Sequence, residues 1–323
     1  MDDGRSRRST GRLTPSIAVT QTLGSLIARL LLVASFSALA LWPSDAGAQI
    51  FESIGIRAQG MSGAFVAVSN DATTTWWNPA GLAHGGFFNT ILEFDRDEDS
   101  GDSRASAFAL TVPSLGFSYY RLSLSGMRPA LPTGSDPSDR EDEGALSQFG
   151  VTVGQSIGSH LVVASTLKLV NALGETSGDL DMGVMLAAEH IRLGLAARNL
   201  RTAEFSDGVR RLELPLQVRT GVSFTAVTAP RFEALVAVDG DLTTTPTAFG
   251  DARHLAAGAE AWLLNRTIGV RGGVGFNTIG ETRRSGSVGA SVAFRSGLYA
   301  DAHLTRGDDE VRNGWGFAVR VTF

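Results

Sequence analysis

The chain has 323 residues, 38 of them glycine and none cysteine, with 43% hydrophobic and 19% charged residues and a net charge of −5. Mean hydropathy is +0.06, which excludes a polytopic helical membrane protein, since that needs several apolar runs of about 20 residues. The ordinary apolar content argues against disorder, the mild acidity against a nucleic-acid binder, and the missing cysteine excludes a disulfide framework or a thiolate metal site. A soluble globule of one or two domains remains open on composition alone.

In chain order, an export signal comes first. Arg5, Arg7, Arg8, Arg12 and Arg29 precede an apolar run from Leu30 to Trp42, which ends on Pro43-Ser44-Asp45-Ala46-Gly47-Ala48. A basic region, a short apolar region and an A-x-A site together predict a signal peptide, residues 1–48, cleaved after Ala48. The apolar run is too short for a spanning helix. Beyond residue 48 stand 23 basic and 30 acidic residues, a net −7. Export without cysteine suits a bacterial envelope protein.

Residues 49–85 precede the first expected strand. Met61, Phe65, Trp76, Trp77 and Leu82 give this piece more apolar bulk than a water-filled surrounding would need. Asn70-Asp71 can cap a short helix from about Ala72. Asn78-Pro79 should end it, because the residue before a proline avoids the α region.

From residue 86 onward the chain reads with period two. In Trp315–Phe323 every odd position is large and apolar, while the even ones are Gly, Ala, Arg and Thr. Such alternation gives a strand one apolar face and one small or polar face. Fourteen strands are predicted, at 86–95, 103–112, 114–125, 144–157, 160–171, 178–188, 190–199, 210–225, 230–239, 253–263, 266–277, 286–294, 297–306 and 312–323. Each is long enough to cross a bilayer at a tilt. The odd-numbered connections, such as Gly126–Glu143, Leu200–Val209 and Gly240–Ala252, are generally longer or more polar than the even ones. Short turns at one end and longer loops at the other mark a transmembrane β-barrel. Glycine falls at lumen-facing positions such as Gly269, Gly273 and Gly275, where a curved wall or a close plug favours no side chain. In the third strand the apolar phase slips between Tyr119 and Tyr120, as it would at a β-bulge; a misjudged register explains the same slip.

The run Gly60-Met61-Ser62-Gly63-Ala64-Phe65-Val66-Ala67-Val68, followed by Asp71 and then Trp77-Asn78-Pro79-Ala80-Gly81-Leu82, resembles the start of the PorV/FadL-like outer-membrane family. The fourteen-strand count and the terminal Phe323 extend the resemblance over the rest of the chain. It implies an all-β fold, a 14-stranded antiparallel transmembrane β-barrel (86–323) with an N-terminal hatch (49–85) folded into the lumen. Phe323 then resembles the C-terminal signal read by the barrel assembly machinery. The resemblance also implies a ligand pocket at the hatch, formed by the aromatics Phe51, Phe65, Trp76 and Trp77 with Met61, Asn78 and Pro79. Asn78-Pro79-Ala80 more simply packs the plug against the wall. An inward kink in the third strand would open a lateral gap.

No enzyme motif stands out. The five histidines lack ligand spacing, and Gly272-Gly273-Val274-Gly275 lies inside a strand with no following helix or lysine. The acidic clusters at 95–102 and 139–143 lack calcium-loop spacing. The expectation is therefore a non-enzyme without cofactor or metal, in contact with outer-membrane lipid and not with nucleic acid. Its function is expected to be passive transport of hydrophobic small molecules across the outer membrane. The alternative is a PorV-like barrel that shuttles secreted proteins or supports envelope assembly. One departure from fatty-acid channels is the loop 126–143, which is acidic and Pro-rich where an apolar capture element is expected.

Overall fold

In the computed structural model the described residues are 54–97, 103–124, 144–206, 211–229, 231–247, 250–308 and 313–323. The expected signal peptide, Phe51 and the loop Gly126–Glu143 lie outside them.

Fourteen antiparallel strands close into one barrel. In chain order they are β1 (Asn89–Asp97), β2 (Ser103–Val112), β3 (Leu115–Leu124), β4 (Gly144–Ile157), β5 (Leu161–Ala172), β6 (Glu175–Ala187), β7 (Ile191–Arg198), β10 (Gln217–Ala229), β11 (Phe232–Asp241), β14 (His254–Leu263), β15 (Ile268–Asn277), β16 (Arg284–Arg295), β17 (Leu298–Gly307) and β18 (Gly314–Thr322). β1 pairs with β2 and with β18, which closes the ring and leaves no open edge. Two small hairpins, β8 (Glu204–Ser206) with β9 (Arg211–Glu213) and β12 (Thr245–Thr247) with β13 (Gly250–Ala252), stand in long connections outside the wall.

Alternation decides which side each residue faces. Leu92, Phe108, Tyr119, Phe149, Leu167, Val222, Val236, Val274, Val288 and Phe317 are exposed on the outer face, while Glu93, Ala107, Tyr120, Gln148, Lys168, Asp239 and Ser287 are buried on the inner one. A continuous apolar belt of this kind is unstable in water and fits a lipid surrounding. No helix among the described residues is long and apolar enough to cross a membrane; the chain crosses with strands.

The connections sort as expected, with one exception. The strand ends separated by only two to four residues, as at β2–β3, β4–β5, β6–β7, β10–β11, β14–β15 and β16–β17, stand at one end of the barrel; those separated by five residues or more, as at β1–β2, β3–β4, β7–β10 and β11–β14, stand at the other. The fifth connection, expected at Ala172–Ser177, is a two-residue turn at the long-loop end. Leu173 (φ 52°) and Gly174 (φ 78°) are both left-handed, the conformation that matches the twist of a tight hairpin, so β6 starts at Glu175 instead of 178.

Two further expectations are corrected. The predicted strand 210–225 breaks at Pro215, which has no N–H for a ladder. Arg211–Glu213 therefore pairs with Glu204–Ser206, and the wall strand starts at Gln217. In one continuous strand Leu212, Leu214 and Leu216 would share a face; with the break, Leu212 and Leu214 are buried while Leu216 is exposed. The expected irregularity at Tyr119–Tyr120 is absent, because β3 pairs with β2 and β4 in unbroken register. Leu115, Phe117 and Tyr119 face outward in phase with Arg121, and Tyr120 and Leu122 face inward, the Tyr120 hydroxyl donating to Gln148 at 3.2 Å. Register shifts occur instead at Thr225/Val227 and Ala293/Arg295.

Candidate functional site in the filled lumen

Residues 54–85 fill the lumen. They form α1 (Ile56–Gln59), α2 (Thr74–Trp77) and a 3-10 helix (Pro79–His84). α2 ends at Asn78, whose backbone is extended as a residue before proline requires. The Asn78 side chain then caps the 3-10 helix by accepting from the Ala80 amide at 3.1 Å. Asp71 Oδ1 accepts from the Thr73 amide at 3.0 Å, just ahead of α2.

Short elements like these cannot hold themselves together; the wall holds them through inward carboxylates. Glu93 accepts from the Gly55 and Ile56 amides at 2.8 and 3.1 Å. Asp239 Oδ2 accepts from the Phe65 and Val66 amides at 2.7 and 2.6 Å. Glu260 takes a bidentate pair from Arg57, at 2.7 Å from Nε and 2.5 Å from Nη2. The third nitrogen of Arg57 donates to Asn70 and to Asp71, at 2.6 and 3.1 Å. Burial alone would lower the pKa of Arg57, but the charges and hydrogen bonds of Glu260 and Asp71 raise it above the ordinary arginine value. The guanidinium is thus a fixed cation in the lumen.

Glycines let the backbones touch. A Cβ on Gly183 would strike Asn78 and Pro79, and one on Gly273 would strike the Met61 backbone. A Cβ on Gly194 would stand 2.6 Å from the Val66 carbonyl.

The described residues among those singled out in the sequence are packed. Met61, Phe65, Trp77 and Asn78 are 1% exposed or less, and Trp76 is 6% exposed. Pro79 is likewise buried. Phe65 meets Trp77 edge to face at 6.0 Å, and Trp76 meets Tyr120 at 6.3 Å. Arg57 lies over the Phe65 ring at 5.2 Å, and Arg198 and Arg219 lie over the Trp77 ring at 5.1 and 5.8 Å. These ring faces are covered by guanidinium groups and not by an open apolar pocket. A cavity of about 260 Å³ lies instead near the short-turn end, lined by polar groups that include Arg57, Asp71, His84, Asn89 and Arg320.

Apolar lumen appears toward the long-loop end. Tyr120, Leu122, Leu146, Val170 and Ala172 project inward from β3, β4 and β5. Phe205, Leu212 and Leu214, from the hairpin β8–β9 and its flank, join them in one cluster with the rings of Phe65, Trp76 and Trp77. The hairpin segment is tied to the wall. Lys168, fully buried, reaches Asp179 at 3.0 Å, Asp181 at 2.7 Å and Asn199 at 2.8 Å. Asn199 and Arg201 amides donate to Asp181 and Asp179. Phe323 closes the chain at the short-turn end, exchanging backbone hydrogen bonds with Phe88 at 2.9 and 3.2 Å.

Sequence reasoning missed these clamps. Their only sequence signal is a charged residue in the inward phase of an apolar strand, as at Asp239 and Glu260.

No family model matches the chain, and no curated protein matches it. Solved structures do. The chain is similar to the CymD monoaromatic hydrocarbon channel, with 13% identity, a TM-score of 0.56, and coverage of 86% of this chain and 99% of that one. It is similar to the toluene transporter TbuX of Ralstonia pickettii, with 14% identity, a TM-score of 0.57, and coverage of 84% and 99%. It is also similar to the toluene transporter TodX of Pseudomonas putida, with 12% identity, a TM-score of 0.50, and coverage of 84% and 98%. At these identities the shared property is the fold, the fourteen-strand barrel of the FadL-type hydrocarbon channels.

Proposed function

We propose that the protein is a passive channel in a bacterial outer membrane for hydrophobic small molecules, with the long-loop end outside and the short-turn end facing the periplasm. The observation that carries this reading is the apolar cluster that joins Phe205, Leu212 and Leu214 with Leu146, Tyr120, Trp76 and Trp77. A pore for polar solutes would line its lumen with polar groups there. The fold shared with channels described as hydrocarbon or toluene transporters supports the same substrate class. A molecule about the size of one aromatic ring enters beneath the hairpin β8–β9 and displaces packed side chains on its way to the rings. No catalysis, cofactor or metal is part of this function. The comparisons give no support to the protein-shuttle alternative.

The test is uptake of radiolabelled toluene by cells whose outer membrane carries the protein, against cells with an empty vector. Faster uptake is expected. Leu146→Asp, which puts a charge into the cluster, should return it to the vector rate while the barrel still shows heat-modifiable migration. Equal uptake with and without the protein refutes the proposal. N-terminal sequencing of the membrane form should start at Gln49.

A further inference from the structure

The outer wall carries a charge pattern that the lumen does not explain. Arg96 on β1, Arg104 on β2, Arg121 on β3, Arg284 on β16 and Arg306 on β17 occupy outward positions, each beside an inward-facing neighbour such as Asp95, Ala105, Tyr120 or Ser285. All five stand at the long-loop end of their strands. Arg96 lies directly opposite Arg104 on one side and Trp315 on the other. Arg121 lies opposite Ser106.

Among the described side chains of the fourteen strands, no aspartate or glutamate faces outward. The other outward charge is Arg295, at the short-turn end. The barrel order β16-β17-β18-β1-β2-β3 puts the five arginines on one arc, interrupted only at β18, where Trp315 stands between Arg306 and Arg96. At about 4.8 Å per strand they span an arc of about 24 Å. On β4, β5 and β6 the corresponding outward positions are Ser147, Asn171 and Thr176. Below the arc lies an outward aromatic cluster: Phe94 is 5.5 Å from Phe317 and 6.1 Å from Trp315. Phe108 and Tyr119 continue it on β2 and β3.

Five outward cations on a chain of net charge −5 are not a reflection of average composition. Like charges facing each other across a strand pair are unfavourable, and an anion bridging them removes that cost. The arginines share their face with the lipid belt, so a phosphate at the surface of the outer leaflet can reach them from the side. The guanidinium fork matches phosphate in two-point contact. Arg96, Arg104 and Arg306 have further interactions of their own; five N–H donors let one guanidinium serve two partners.

We propose that this arc binds a phosphorylated, multiply acylated lipid of the outer leaflet. Its phosphates lie on Arg96, Arg104 and Arg121, and its acyl chains lie over Phe94, Phe108 and Phe317. The proposal rests on the bilayer placement given above and not on what the channel carries.

The test is native mass spectrometry of the full-length protein in detergent with bisphosphorylated lipid A, its dephosphorylated form, or inorganic phosphate at equal concentration. Wild type should retain the bisphosphorylated lipid at least tenfold more than either comparison ligand. The triple variant Arg96→Gln, Arg104→Gln, Arg121→Gln should lose at least tenfold of that retention, and Arg295→Gln should keep it. Should the triple variant fail to fold, Arg104→Gln alone should lose two- to fivefold. Equal retention by variant and wild type, or of phosphorylated and dephosphorylated lipid, overturns the proposal, as does displacement by equimolar inorganic phosphate. Heat-modifiable migration checks the bilayer placement separately, and a failed toluene assay leaves the lipid result unaffected.

Discussion

Replacing Asp239 by alanine should release the middle of the lumenal segment while leaving the barrel closed. One carboxylate oxygen accepts both the Phe65 and Val66 amides, at 2.7 and 2.6 Å, and Asp239 is 1% exposed. Each amide left buried without a partner costs about 1–3 kcal/mol, so the pair costs about 2–6 kcal/mol of docking free energy. The lower bound corresponds to about a thirtyfold rise in the open population, since 1.4 kcal/mol is tenfold. Amide hydrogen exchange reads this directly: protection at residues 64–67 should fall by at least about thirtyfold, while the strands β2–β5 keep theirs. Asp239→Asn keeps an acceptor oxygen and loses only the charge, so its effect should be smaller, about 1–2 kcal/mol by the difference between charged and neutral hydrogen bonds. Unchanged exchange at 64–67 in Asp239→Ala would refute the idea that wall carboxylates hold the segment.

Three other outcomes follow from the packing. Gly273→Ala places a methyl group against the Met61 backbone, whereas Gly272→Ala finds its nearest atom at 3.6 Å. The first should lower barrel stability by about 1–3 kcal/mol and the second hardly at all, as read from the temperature of heat-modified migration. Lys168→Met leaves Asp179 and Asp181 buried without their cation, a loss of about 3–5 kcal/mol; protease should then cut between residues 199 and 216 faster than in wild type. Trp77→Phe removes the indole hydrogen bond to the Ile54 carbonyl, about 1 kcal/mol. It should raise exchange at the start of α1 without touching Asp239's contacts.

Period two, read from the residues alone, is sufficient to place fourteen strands and to say which face of each meets lipid. A barrel wall has only two environments, and each residue's parity assigns it to one. That is why Phe317 and Val319 were legible on the apolar face of their strand, and why Gly273 was legible as a lumen-facing position that favours no side chain. Parity does not say what an inward residue touches. Asp239 meets Phe65 across 174 positions of sequence and Glu260 meets Arg57 across 203, contacts that exist only once the ring has closed around the segment. The Tyr120 slip misled for the same reason: an apolar residue in the inward phase signals a bulge in an isolated strand, but in the closed barrel it is a partner for Trp76. Leu212 and Leu214 are in phase with the strand that follows Pro215, but the missing N–H at Pro215 ends the ladder, and Arg211–Glu213 pairs with Glu204–Ser206 instead. The sequence thus determined the wall and its two faces, because alternation is local. The tertiary structure decided what the lumen holds, because a closed ring brings together side chains that no local pattern relates.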